Sequence, residues 1–290
     1  MGVRAFSERP GAPRTGSARA LLFALALAAT AAGAQPAADG VEVRKSRLLL
    51  LPASVVERTA AQQYAQMMRQ AAQAGRLNTD RPQLERLRAI ARALIAEAPR
   101  YHPQAARWRW EVNVIHADAV NAFCMPGGKI AFYSGILERL ALDADEAAAV
   151  MGHEIAHALL EHGRARMSQQ VLKNLGIAAA AIAFNLGQLS TELLAHAADL
   201  ALTLPYARSQ ESDADLLGLE LAARAGFDPR AALRLWQKMQ AYAARSGRAQ
   251  APQFLSTHPG HERRLRDLEN ALPKVLPLYE ARRAAENRLR

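Results

Sequence analysis

Apolar positions recur along this chain in three registers, and each register predicts a different kind of element. After the apolar run RLLLLPAS (47–54), two stretches near 54–74 and 81–98 repeat apolar residues at helical spacing. Gly75 and Asn78 separate them, and Pro99 stops the second. The period then drops to two in RWRWEVNVIHA (107–117), where Trp108, Trp110, Val112 and Val114 share one side, as in a strand. NAFCMPGGKIAFYSGIL (121–137) reads as a hairpin turning at Pro126-Gly127-Gly128. From Asp143 onward helical spacing returns, over 143–162, 164–187, 190–202 and 208–225. Asp228-Pro229 is a capping residue followed by proline, opening a helix to about 245 that Ser246-Gly247 ends. A last compact helix follows His258-Pro259, and a basic tail closes the chain. The pattern predicts an α+β, mainly helical fold with a small sheet beside a helical body, and no internal repeat.

Composition changes this picture mostly at the N-terminus. The chain has 290 residues and a formal charge of +10. Arg4, Arg9, Arg14 and Arg19 against Glu8 give residues 1–34 a net +3. The apolar run ALLFALALAATAA (20–32) follows, then the small-residue pattern Ala32-Gly33-Ala34. These are the parts of a secretory signal peptide cleaved after Ala34. A membrane anchor is the other reading, but so short a run cannot span a hydrocarbon core of about 30 Å. The remaining +7 is spread along the chain rather than clustered with aromatics, which argues against nucleic-acid binding and leaves room for peripheral attraction to anionic membranes. Cys124 is the only cysteine, so no intrachain disulfide can form, and it reads as a small packed hydrophobe.

The chemistry is concentrated in VMGHEIAHALLEHGRAR (150–166). Four residues along a helix turn by roughly 40°, so His153 and His157 share a face with Glu154 beside them. Two imidazoles can hold a metal there while the carboxylate takes a proton from activated water. On a continuous helix, Glu161 would lie about 12 Å along the axis from His153, and His162 would point to roughly the opposite face. Leu160 and Gly163 occupy the glycine and third-histidine slots of HExxHxxGxxH, so that extended motif is absent. A third ligand must come from elsewhere. In LPYARSQESDADLLGLE (204–220), Glu211 and Asp215 are four apart. Glu211 can supply a ligand, and Asp215 can orient a ligand histidine through its far nitrogen. The alternative is an acidic first turn of an ordinary helix. Gly218 suggests close packing on the same side, while Glu192, His196 and Asp199 read as a pocket edge or solvated face.

HEIAHALLEHGRAR, RSQESDADLLGLELAARAGFDPRAA and STHPGHERRL, in that order, resemble the Ste-type zinc endopeptidases (the CAAX prenyl protease, HtpX-like and Oma-type group). The segment NAFCMPGGKIAFYSGIL also looks like the one ahead of that family's zinc helix, and the similarity is nearest to its secreted bacterial branch. The resemblance spans about 121–265 and implies a gluzincin-type metallopeptidase with one zinc ion per subunit. It implies His153, His157 and Glu211 as ligands, Glu154 as general base and Asp215 as the partner behind the ligands. His258 and Arg264 match the family's HPxxxxR pattern near the active site, with roles in catalysis. In some secreted relatives the corresponding histidine caps the zinc. Asn121, Ala122 and Phe123 match an edge strand that lines the substrate groove. Cys124 departs from the small residue usual there, and neither tandem helical repeats nor multiple spanning helices are present. The run GIAAAAIAFNL (176–186) is too short to span and reads as a packed or surface-lying helix.

The expected organisation is a signal peptide (1–34), an N-terminal linker and helices (35–100), a zinc metallopeptidase domain (101–272) and a basic tail (273–290). The expected function is a periplasmic zinc endopeptidase acting on misfolded or damaged cell-envelope proteins, with unfolded polypeptides as partners. A zinc-stabilised chaperone or adaptor for outer-membrane proteins, with latent proteolysis, is the main rival. A membrane-surface binding module is the other.

Overall fold

The computed structural model describes residues 40–175 apart from 45, 47 and 48, then 196, 197, 199, 206–246, 253–259 and 262–288. The leader, the run 176–186, Glu192 and most of the helical pattern at 190–202 lie outside the described residues. Two helices, α1 (Ala53–Gln73) and α2 (Arg81–Glu97), precede three strands, β1 (Glu111–Ile115), β2 (Ala122–Met125) and β3 (Lys129–Tyr133). There follow α3 (Ser134–Arg139), α4 (Ala144–Leu159), α5 (His162–Leu175), α6 (Arg208–Arg224), α7 (Ala231–Ser246), α8 (Gln253–Thr257) and α9 (Glu262–Arg288).

β3 is the middle strand, parallel to β1 and antiparallel to β2, so β2 is an edge. The two faces of the pleat go to different partners, as period-two alternation requires. Val112, Val114, Cys124, Ile130 and Phe132 join a core with α2 and α4, while Ile115, Met125 and Ala131 meet Ala60, Tyr64 and Met68 of α1. The helices expected ahead of the catalytic part therefore cover both faces of its sheet. Residues 40–290 form one compact unit. The strand is shorter than its alternation predicts. Trp108 and Trp110 precede it, their indole N–H groups donating to Glu57 (3.1 Å) and the Ala105 carbonyl (3.0 Å) instead of extending the ladder region.

α4 carries the HExxH motif and is fixed at its start by a reciprocal cap. The Glu146 amide donates to Asp143 Oδ1 (2.8 Å), and the Asp143 amide donates to Glu146 Oε2 (2.9 Å). Every residue from Val150 to Leu159 is buried, as expected of a helix apolar nearly all round. Its backbone meets α6 directly. A Cβ on Gly218 would lie 2.7 Å from the His153 amide nitrogen, and one on Gly152 would lie 2.8 Å from the Gly218 carbonyl oxygen. Only glycine at both positions permits this approach, which brings Glu211 and Asp215 beside the histidines.

α4 ends at Leu159, and Glu161 takes a left-handed conformation (φ 56°) before α5 begins at His162. Its carboxylate is held by Arg164 Nη1 at 2.6 Å. At the C-terminus the chain differs from the expected short helix and tail: α9 is continuous through Pro273 and Pro277 and reaches Arg288. Leu268, Ala271 and Val275 of α9 pack with Leu219, Ala223 and Trp236, so burial against α6 and α7 offsets the two lost backbone donors.

Candidate metal centre

Four side chains from three places in the fold converge. His153 and His157 project from α4, Glu211 from the first turn of α6, and His258 from the residue after α8. All four are buried, and one donor atom from each lies within 4.8 Å of the others. His157 Nε2 is 3.1 Å from His153 Nε2, which is 3.2 Å from His258 Nδ1. Glu211 Oε1 is 3.1 Å from His258 Nδ1 and 3.4 Å from His157 Nε2, and Oε2 is 3.6 Å from His153 Nε2.

Each donor is oriented from behind. His153 Nδ1 lies 3.0 Å from Asp215 Oδ1. Arg264 grips Asp215 with two bonds, Nε to Oδ2 (2.6 Å) and Nη2 to Oδ1 (2.7 Å), and its Nη1 is 2.6 Å from Glu211 Oε2. His157 Nδ1 lies 2.9 Å from His162 Nδ1. The Tyr206 ring stacks on His157 (3.8 Å between centroids), with the Arg166 guanidinium over its other side at 3.5 Å. Phe254 stacks on His258 (4.5 Å) and its carbonyl accepts the His258 amide (2.8 Å).

Glu154 is buried next to the four donors but outside the set. Its Oε1 has no hydrogen-bond partner and lies 3.4 Å from His258 Nε2. Burial pushes this carboxyl above the ordinary range, the direction that makes a better proton acceptor. Burial acts the same way on Glu211, yet the His258 charge and hydrogen bonds from His157 and His258 hold it well below that range. Asp215 is also held low, burial being outweighed by Arg264. His153 is disfavoured as a cation by burial, but Asp215 and Glu211 raise it overall. Burial lowers His162 to about 3, so that ring is neutral.

A cleft of about 310 Å³ opens on this centre, lined among others by Asn121, Ala122, Phe123, Glu154, Tyr206 and His258. Asp199 also lines it and accepts a hydrogen bond from Gln63 Nε2 (2.9 Å), while His196 is exposed.

Comparison with known proteins adds the family. The profile of peptidase family M48 matches residues 82–272, well over half of the chain. The chain belongs to peptidase family M48. Its M48 relatives include the mitochondrial metalloendopeptidase OMA1 of Schizosaccharomyces pombe, 39% identical over 168 residues, which are 58% of this chain and 48% of the relative. Human OMA1 is 30% identical over 185 residues, 61% of this chain and 35% of the relative. The beta-barrel assembly-enhancing protease of Escherichia coli K12 is 30% identical over 184 residues, 61% and 37% respectively. The chain thus spans about half or less of the length of these M48 relatives.

The donor set fits zinc, the metal of M48 peptidases. Ligands about 2.0–2.1 Å from a tetrahedral ion are roughly 3.3 Å from one another; five donor separations here are 3.1–3.6 Å, and all four donors lie within 4.8 Å of one another. Charge agrees with distance. Glu154, Glu211 and Asp215 are three buried carboxylates near two buried guanidiniums, Arg264 and Arg166, so a divalent cation offsets the remaining negative charge.

The ten residues assigned to the site from the sequence fall in this region. Arg264, expected near the active site with a role in catalysis, is committed to Asp215, Glu211 and the carbonyls of His258 and Pro259, with its guanidinium over Trp236. His162 is turned toward His157 because the helix stops at Leu159. Tyr206, Arg166 and Phe254 were not expected. An aromatic just before the acidic helix was the one available signal for Tyr206.

Proposed function

We propose that this chain is a zinc-dependent endopeptidase of the cell envelope. The leader directs it to the periplasm, where it hydrolyses misfolded or damaged proteins, in residues 101–272 with the helices before them. The observation that carries this reading is Glu154: a buried carboxylate whose Oε1 has no hydrogen-bond partner, beside a zinc-type donor set, at the floor of a cleft along a strand edge. The relatives' names, metalloendopeptidase and beta-barrel assembly-enhancing protease, point the same way.

His153, His157 and Glu211 hold the ion. Zinc, when bound, supplies Lewis-acid activation of water and of the scissile carbonyl. Glu154 accepts a proton from the attacking water on its carboxylate and passes it to the leaving amide nitrogen. Asp215 holds His153 by Nδ1, and Arg264 holds Asp215 and Glu211 in place. The free edge of β2, Asn121 to Phe123, binds an extended polypeptide by main-chain hydrogen bonds, which tolerate many sequences. Cleavage of an unfolded protein, followed by mass spectrometry of new termini, should vanish on chelation and return in proportion to zinc restored. Cleavage that ignores zinc content would end this reading.

The rival, a chaperone or adaptor with latent proteolysis, draws on the position of His258. With His258 Nδ1 beside the other three donors, four protein groups would hold a bound ion and leave no place for water. We read this arrangement as the closed form, from which His258 must withdraw. His258→Ala is expected to raise cleavage several-fold without loss of zinc. A fall in activity would assign His258 a catalytic part instead.

His162 acts through His157. A ligand bonding through Nε2 carries its proton on Nδ1, which here lies within hydrogen-bond distance of His162 Nδ1. His162→Ala is expected to weaken zinc about 10- to 100-fold in chelator competition. His162→Asn, whose amide oxygen can accept the same proton, should recover most of that. Equal affinities across the three would show that the contact is packing alone.

A further inference from the structure

α4 and α5 meet at a backbone turn that the chain has to hold against its own preference. Glu161 sits there at φ 56°, a conformation that is disfavoured for a residue with a Cβ and that glycine adopts freely. The turn decides where α5 starts, and with it the placement of His162, whose Nδ1 lies 2.9 Å from Nδ1 of the ligand His157. Arg164 is bonded across this turn. Its Nη1 donates to Glu161 Oε1 (2.6 Å), its Nε to the Leu51 carbonyl (2.6 Å) and its Nη2 to the Leu49 carbonyl (3.1 Å).

Those two carbonyls belong to the chain ahead of α1, 113 and 115 residues away in sequence. That chain is itself fixed on both sides of the turn. Ser46 Oγ donates to the Leu160 carbonyl (2.9 Å), and the Leu51 amide donates to Ser168 Oγ (3.2 Å), with Leu51 and Ser168 fully buried. Arg164 lies in the first turn of α5, where the helix dipole disfavours a cation, so its three acceptors must offset that cost. Its side chain is 18% exposed, against 66% for Arg44, which ties the same segment to Asp213 on α6. The shielded contact is the one able to fix geometry; the exposed pair is weakened by water and salt.

We infer that Arg164 is a positioning residue for the metal centre: by clamping the Glu161 turn to the Leu49 and Leu51 carbonyls, it aims His162 at His157 and so sets how tightly zinc is held. The inference rests on the zinc site of the reading above, and its test reads zinc affinity without cleavage. Arg164→Ala is expected to weaken zinc about tenfold in chelator competition. In the His162→Ala background the same change should cost less than about twofold further, because the group it positions is gone. Arg164→Lys keeps a cation beside Glu161, but one ammonium cannot reproduce the planar fork across two carbonyls, so an intermediate loss is expected. Arg44→Ala, at the exposed end of the segment, should leave zinc affinity unchanged.

Glycine at the turn supplies a readout that a general loss of stability would not move. Glu161→Gly removes the cost of the left-handed backbone, so zinc affinity in Glu161→Gly/Arg164→Ala should return most of the way to wild type, although both charges are gone. Thermal midpoints of the zinc-free proteins are measured alongside. If Arg164→Ala does not fold, Arg164→Lys with and without Glu161→Gly takes its place. Wild-type zinc affinity in both Arg164 variants overturns the inference. So does a loss that is the same with and without His162, or one that Glu161→Gly does not relieve, since either makes Arg164 an ordinary stabilising contact. Cleavage is read separately. A chain that shows the zinc pattern but cuts no unfolded protein overturns the endopeptidase reading and leaves the role of Arg164 standing; no zinc binding at all overturns both.

Discussion

Replacing Glu154 with glutamine is expected to remove cleavage of an unfolded protein by at least about 10²- to 10⁴-fold while zinc stoichiometry stays unchanged. The amide has the size of the carboxylate but no basic oxygen to take the water proton and no acid to return it. Zinc should stay because Glu154 is not among the four converging donors. Stability should hold as well. The carboxyl is buried with Oε1 lacking a hydrogen-bond partner, and burial already disfavours its charge, so a neutral isostere relieves a cost. Rates of appearance of new N-termini, metal content and thermal midpoint, measured on one preparation, separate the outcomes. Retained cleavage would remove Glu154 as the base, and lost zinc would make it structural. Retained function in cells without cleavage would favour the adaptor.

How much of this was legible in the sequence depends on whether helical geometry ran unbroken. His153, Glu154 and His157 lie within one rigid helix, where spacing alone sets direction. The closeness of Glu211 and Asp215 was legible through Gly218, because a glycine inside a helix, otherwise costly, signals an approaching backbone. His162 was not legible. Spacing on a continuous helix points it away from the metal, whereas the chain turns at Glu161, a non-glycine residue in a left-handed conformation that no local rule assigns to glutamate. The last helix runs well beyond the compact helix expected after His258-Pro259, although Pro273 and Pro277 within it disfavour helix. Tertiary packing of Leu268, Ala271 and Val275 overrides that propensity. Arg264 was placed in the right neighbourhood by its motif, but a motif does not say which partner takes the guanidinium.

That partner matters most for stability. Arg264→Met is expected to destabilise the zinc-free protein by about 3–5 kcal/mol, because it leaves buried carboxylates without their compensating charge. Arg264 is 1% exposed, and Asp215 and Glu211 are buried with it. Methionine replaces the bulk over Trp236 but none of the bonds to Asp215 and Glu211. The loss should be non-additive with Asp215: adding Asp215→Asn should cost less in the Arg264→Met background than alone, since it removes a carboxylate already unpaired. The sign of the pH effect follows from Asp215. Its pKa is depressed in the folded protein, so its ionised form stabilises the fold above the unfolded aspartate value of about 3.9, and that contribution fades as pH falls through the lower folded value. The gap between wild type and Arg264→Met should therefore narrow on acidification and widen toward neutrality. Urea titrations of the zinc-free proteins across that range measure it. A neutral-pH loss below about 1 kcal/mol, in the range of exposed pairs, would mean that the buried pairing is not what holds Asp215 and Glu211 around the metal.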